Sequence, residues 1–260
     1  MSSRAAVAKT YKLYLGGAFV RSESGRTDPI GGVNVPRGSR KDIRDAVKAA
    51  RGAAGGWAKK TAYNRGQVLY RFAEALESRS DGSDEYGEAI DLLVHYAGWT
   101  DKLAAVMGGV NPVAAPFLSF SSPEPTGVVA VLAPDRPDVL GLIREIAPAL
   151  AAGNAVVAVV SRTSPLRALD LGEVAGVSDI PAGVLNLISG RLDELLTPLC
   201  GHRDVNAIID ATSDDAVAAQ VDELAAETVK RVSRPTPYTD SLTRLEPLVE
   251  LKTAWHPVGS

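Results

Sequence analysis

A chain of 260 residues, 45% apolar and 23% charged, can bury one large core or two small ones. Its net charge of −3 argues against nucleic acid or an anionic membrane surface as a partner, and one cysteine excludes an internal disulfide framework. No apolar run nears the roughly twenty residues of a membrane span and the N-terminus lacks a signal-peptide core, so the cytoplasm is the expected compartment.

Residues 1–10 read as a loose tail. Residues 11–20 read as two short strands around the Gly16-Gly17 hairpin signal, and residues 33–36 as a third. Ser39 is placed to cap a helix, with Asp42 at the capping-box position. Ile43, Ala46, Val47 and Ala50 then form one stripe, so residues 40–54 are an expected helix. Trp57 follows a Gly-Gly break. Residues 62–78 and 87–106 are expected as two more helices, with a turn-rich SRSDGSDEYG stretch between them. Residues 111–125, rich in Pro and Ser, read as irregular or edge structure.

Residues 126–165 organise the chain. Residues 128–133 are a β-branched apolar run, as a strand buried on both faces requires. Leu140, Ile143, Ala147 and Leu150 recur at helical spacing, and Gly153-Asn154 ends that helix. Residues 155–160 are a second buried strand. Strand, crossover helix and strand make a right-handed βαβ unit, with its ligand-facing loops at the strands' carboxyl ends. The alternation continues: a helix over 165–175, strand 184–188, short helix 191–199, strand 205–209, and a helix from the cap Ser213 to about Arg231. The fold class is α/β, a doubly wound parallel (Rossmann-like) sheet with N-terminal helices. After the turn-rich SRPTPYTDSLTRLEP, residues 249–255 alternate as a lone strand that must pair with something distant, another chain included.

The words YKLYLGGAFVRSESGR, DIRDAVKAARGAAGGWA, HYAGWTDKL, EPTGVVAVLAP, APALAAGNAVV, IPAGVLNLISG and the terminal LVELKTAW occur in the order of the aldehyde dehydrogenase superfamily, which the chain resembles. The resemblance implies three parts. Residues 1–38 would be an N-terminal hairpin arm in an oligomerisation sheet shared with the C-terminal strand. Residues 39–232 would be a dinucleotide-binding-type domain. Residues 233–260 would be a linker and the oligomerisation strand. After Val229-Lys230-Arg231-Val232 the family continues into a large catalytic domain carrying the nucleophilic cysteine, whereas here the chain passes to the terminal strand. Loss of a docked domain is expected to expose apolar surface.

The resemblance also departs from the family at three loops. The family's Pro-Trp-Asn-Phe-Pro, whose Asn supplies part of an oxyanion hole, is here Pro134-Asp135-Arg136-Pro137, and a carboxylate opposes a developing oxyanion. Where the family holds the adenosine ribose through Lys-Pro and Glu, this chain has Val159, Val160 and Arg162, which offer no acceptor. The Gly-Ser turn that faces a diphosphate is replaced by Asp210-Ala211-Thr212-Ser213-Asp214-Asp215.

The remaining candidate chemistry is sparse. Cys200, two residues from His202, reads as a structural thiol. His95, His202, His256 and Cys200 lack metal-ligand spacing. The Asp84-Glu85 and Asp214-Asp215 pairs read as helix N-terminal charges. Gly16-Gly17, Gly31-Gly32, Gly55-Gly56 and Gly108-Gly109 are turn formers rather than a dinucleotide fingerprint. The expected site assignment is therefore no catalytic residue, no cofactor-binding residue and no metal ligand. The expected function is a non-catalytic aldehyde dehydrogenase-like subunit that assembles with itself or with a full-length paralogue. One alternative is an active NAD(P)-dependent dehydrogenase using Cys200. Another is a nucleotide- or anion-binding module using Arg136 and Arg162.

Overall fold

A computed structural model describes residues 7–258, so most of the expected N-terminal tail lies outside the described residues. The N-terminal hairpin is β1 (Leu13–Leu15) and β2 (Ala18–Val20), turning through Gly16 and Gly17 at φ 60° and 82°. A second ribbon follows, β3 (Thr27–Ile30) and β4 (Val33–Pro36). Helix α1 (Arg40–Ala58) starts on the expected capping box: Ser39 Oγ accepts from Asp42 N, and Asp42 Oδ2 accepts from Ser39 N at 2.8 Å. It runs through Gly55-Gly56, because Trp57 is buried and its Nε1 donates to Leu150 O at 3.1 Å. Helix α2 (Ala62–Glu77) matches expectation. The third expected helix is two, α3 (Asp84–Trp99) and α4 (Leu103–Met107), broken where Thr100 Oγ1 turns back to Ala97 O.

The Pro- and Ser-rich stretch holds strands β5 (Gly109–Asn111) and β6 (Phe117–Pro125). Pro123 and Pro125 are tolerated because β5 pairs with β6 only over Ser119–Ser121, so the prolines have no strand partner on that side. Then come β7 (Val128–Leu132), α5 (Asp138–Ala151), β8 (Ala155–Val159), α6 (Pro165–Ala175), β9 (Leu185–Ile188), α7 (Leu192–Cys200), β10 (Ala207–Asp210), α8 (Asp215–Ala226) and β11 (Arg231–Ser233). Helix α8 stops short of the expected Arg231, because Val229 sits at φ 54° and Arg231 opens a strand. A short helix α9 (Ser241–Leu245), a 3-10 turn (Glu246–Leu248) and β12 (Val249–Pro257) complete the described chain.

The main sheet has the order β11-β10-β7-β8-β9-β1-β2. The five strands from β11 to β9 are parallel, and the hairpin extends the sheet antiparallel beyond β9. Side chains of β7 and β8 alternate between two cores. One core lies under α5 and α6 with α2 and α3 outside them; the other lies under α1, α7 and α8. This is the doubly wound α/β architecture. Among the described residues no helix is long and apolar enough to cross a membrane.

One expectation changes. The hairpin arm does not join the C-terminal strand: it belongs to the main sheet, and β12 pairs antiparallel with β6 along its whole length, from Val249↔Pro125 to Pro257↔Phe117. The lone strand thus has an intrachain partner on one edge. Helix α5 is covered from within the chain. It is buried by α3, α6 and the chain's own segment 234–248, where Leu245 and Leu248 are buried and Arg244 forms an ion pair with Glu145 at 2.8 Å, both side chains 4% exposed. Exposed apolar side chains gather on the three-stranded sheet, at Val110, Leu118, Phe120, Leu251 and Trp255.

Asn154 joins the two sheets. It is fully buried, accepts from Gly127 N at 2.8 Å, and donates to Ala149 O at 3.2 Å and Leu248 O at 2.9 Å. Gly153 before it sits at φ 92°, which ends α5 as the sequence predicts.

Candidate functional site

The connections leaving β7 and β10 run to opposite sides of the sheet, so the chain reverses direction between these two neighbouring strands. Open α/β sheets bind ligands at the carboxyl end of such a reversal. Three loops meet there: 133–137 after β7, 160–164 after β8, and 211–214 after β10. Each supplies one charged side chain to a common contact, with Arg162 between Asp135 and Asp214.

Asp135 Oδ1 accepts from the backbone N–H of Arg162 at 2.8 Å. Asp135 Oδ2 accepts from Arg162 Nη2 at 2.9 Å and Nε at 3.2 Å, a forked pairing that the planar guanidinium favours. Arg162 Nη1 lies 3.6 Å from Asp214 Oδ2. Asp214 caps α8, its Oδ1 accepting from Ala216 N at 3.1 Å and Val217 N at 3.2 Å. Ser161 Oγ closes the ring by donating to Asp135 O at 2.9 Å and accepting from Ser164 N. Burial pushes the Asp135 carboxyl up, but the Arg162 guanidinium and N–H outweigh it and hold it below the usual range. The hydrogen bonds that Arg162 donates to Asp135 raise the guanidinium in turn. All three groups are about a third exposed, so the cluster is a geometric tie more than a large stabiliser.

A second tie flanks it. Asp210, at the end of β10, is buried; it accepts from Arg234 Nε at 3.2 Å and from Thr212 Oγ1 at 2.7 Å. Arg234 Nη2 also binds Asp222 at 2.8 Å, which fastens the chain after β11 to α8. At the start of α5, Glu85 accepts from Val139 N at 2.9 Å and Leu140 N at 3.2 Å, and from Arg167 Nη2 at 2.6 Å. Glu85 lies in the first turn of α3, as expected, and its carboxylate also serves the N-terminus of α5. Burial, with the Glu85 charge added and Arg167 opposing, pushes the neighbouring Asp138 carboxyl up. A cleft of ≈ 620 Å³ between α7 and α8 and one of ≈ 380 Å³ beside Arg136 and Arg234 open on either side, with Asp214 in the wall of both.

The other candidates do not meet here. Cys200 is fully buried at the end of α7, where desolvation, aided by Asp210, pushes its thiol up to about 12; such a sulfur is inert at neutral pH. His202 Nδ1 accepts from Asp204 N at 3.1 Å, and burial lowers its pKa. His95 Nε2 contacts Ser241 Oγ at 2.7 Å and accepts from Trp99 Nε1 at 3.0 Å, on the far side of α3. Among the described residues no group of three or more His, Cys, Asp or Glu is placed to hold a metal ion. Arg136 is exposed, and Arg162 is engaged by two carboxylates, so the pair does not form an open anion cradle.

The dinucleotide implied by the resemblance needs ribose partners and donors for its diphosphate. Val159 and Val160 are 2% and 1% exposed and carry no polar side-chain atom. Arg162 and the first N–H groups of α8 already bind Asp135 and Asp214. The residues present do not fit that group. Sequence reading identified each substitution but not their contact, since the loops lie far apart in the chain and only the sheet order joins them.

Comparisons with known proteins agree with this architecture. A model of the aldehyde dehydrogenase family matches residues 27–235. Aldehyde dehydrogenase family 2 member B4, mitochondrial, of Arabidopsis thaliana is 33% identical over 230 residues, covering 78% of this chain and 42% of that protein. The 2-hydroxymuconic semialdehyde dehydrogenase of Pseudomonas sp. (strain CF600) is 32% identical over 255 residues, covering 86% and 52%. Among solved structures, the indole-3-acetaldehyde dehydrogenase AldA of P. syringae matches with TM-score 0.81 at 26% identity, covering 87% of this chain and 50% of that one. The chain thus spans about half the length of the relatives it matches. On the matched residues and the shared sheet, it belongs to the aldehyde dehydrogenase family.

Proposed function

We propose that this chain is a non-catalytic, aldehyde dehydrogenase-like subunit of the cytoplasm. It assembles with a second copy of itself or with a full-length aldehyde dehydrogenase. The observation that carries the reading is β12. Its nine residues pair with β6 on one edge, and among the described residues nothing pairs with the other. The free edge is about 30 Å long at the usual strand rise. Leu251 and Trp255, 59% and 60% exposed, lie on one face of it beside Phe117. An open, apolar edge of that length is a template for another chain. The lack of a reacting group at the reversal point supports the non-catalytic half, since the one cysteine of the sequence is buried elsewhere.

Size-exclusion chromatography with light scattering tests the reading. The full chain is expected as a dimer or larger. Deletion of residues 249–260 should give monomer, and so should Leu251→Lys/Trp255→Lys, which leaves β12 paired with β6 and whose fold circular dichroism can verify. An unchanged oligomer in both variants refutes assembly through this strand. The competing reading, an active dehydrogenase, requires NAD- or NADP-dependent turnover of an aldehyde panel that Cys200→Ser abolishes.

A further inference from the structure

The three departures at the loops are one structural event. We infer that the Asp135–Arg162–Asp214 cluster is a built-in occupant of the crevice, which ties three loops together and excludes diphosphate-bearing nucleotides from it. Three observations carry this. The cluster bridges the carboxyl ends of β7, β8 and β10, across the point where the sheet reverses. It engages groups there that could otherwise grip an anion, leaving the exposed Arg136 of the 133–137 loop outside the cluster: the Arg162 N–H and guanidinium bind Asp135, and the Ala216 and Val217 N–H groups bind Asp214. It also places two carboxylates where a diphosphate would bring like charge, and Asp214 lines both clefts.

Each carboxylate is matched to a donor that would otherwise be free. Asp135 alone would oppose an anion, and Arg162 alone would attract one. Together they neutralise each other at 2.9 Å and fix the 133–137 loop against the 160–164 loop. The inference concerns these loops and not the edge of β12, so it and the assembly reading can fail separately.

Calorimetric titration of the full chain with NAD, NADP, ADP and inorganic pyrophosphate tests it, alongside hydrogen exchange of the Arg162 amide. The native chain is expected to bind none of the four tighter than millimolar. The variant Asp135→Asn/Asp214→Asn keeps a capping side chain at the start of α8 but frees Arg162. It should bind pyrophosphate at least about tenfold more tightly than the native chain, with an affinity that falls as salt rises. The single variant Asp135→Asn repeats the test if the double variant melts early, and its Arg162 amide should exchange faster. Micromolar binding of NAD or NADP by the native chain overturns the inference. So does a folded variant whose pyrophosphate affinity and Arg162 exchange are both unchanged.

Discussion

Replacing Arg244 by Met should be among the most damaging single changes in this chain. Arg244 Nη1 lies 2.9 and 2.8 Å from the two Glu145 oxygens, with both side chains 4% exposed. Its Nε donates to Thr239 O at 3.2 Å and its Nη2 to Thr236 O. Methionine fills much of the volume but leaves Glu145 buried without its cation, and breaking a buried pair in this way costs about 3–5 kcal/mol. In a domain of this size that lowers the melting temperature by roughly 10 °C. Burial pushes the Glu145 carboxyl up, and Arg244 opposes that shift. Without Arg244 the carboxyl rises further. A carboxyl whose folded value lies above its unfolded value of about 4.3 weakens the fold at higher pH. That stability returns as pH falls through the folded value, so the deficit should be largest at neutral pH and shrink on acidification. Urea unfolding across pH 4–8 measures both, and the double variant Arg244→Met/Glu145→Leu should regain most of the loss. A deficit under about 1 kcal/mol, or a double variant as unstable as the single, refutes this account of the pair.

Two further outcomes follow from buried groups. Asn154→Ala strands the Gly127 N–H and removes the link from α5 to the turn before β12, so it should lower stability by about 2–3 kcal/mol in urea unfolding; a loss below about 1 kcal/mol would count against the clamp. The Cys200 thiol should react with a disulfide reagent at pH 8 at least about a hundredfold more slowly in native protein than in denatured protein, and equal rates would show that its burial is wrong.

Much of the architecture was legible because the sheet strands are buried on both faces and so read as unbroken apolar runs; α6 was expected at Pro165–Ala175 and found there. The misreadings share a cause. Gly55-Gly56 is a local break signal, but the buried Trp57 and its bond to Leu150 O override it. The prolines of β6 mark a loop in isolation, yet they sit where β5 no longer reaches. In both, tertiary contacts decide against local preference. The site followed the same rule. Asp135 was visible as a departure at the family's oxyanion loop, and Arg162 and Asp214 as departures at its coenzyme loops, but their mutual contact is a property of strand order. Glu145 and Arg244 carried no signal, since nothing in a sequence marks a charged pair that will be buried.

The ends of the 234–248 segment meet at Arg231, which opens β11: its Nη1 donates to Val249 O at 2.5 Å and its Nη2 binds Glu250 at 2.8 Å. The bridge thus spans from the last strand of one sheet to the first residues of the other. Loop-closure entropy grows only as the logarithm of loop length, about 0.6 kcal/mol per doubling. Polypeptide threaded between such neighbouring anchors can therefore be long or short with little effect on the framework beneath. On closure entropy alone, the length of chain between these anchors is only weakly constrained. That makes the junction the natural place to graft foreign sequence into this scaffold.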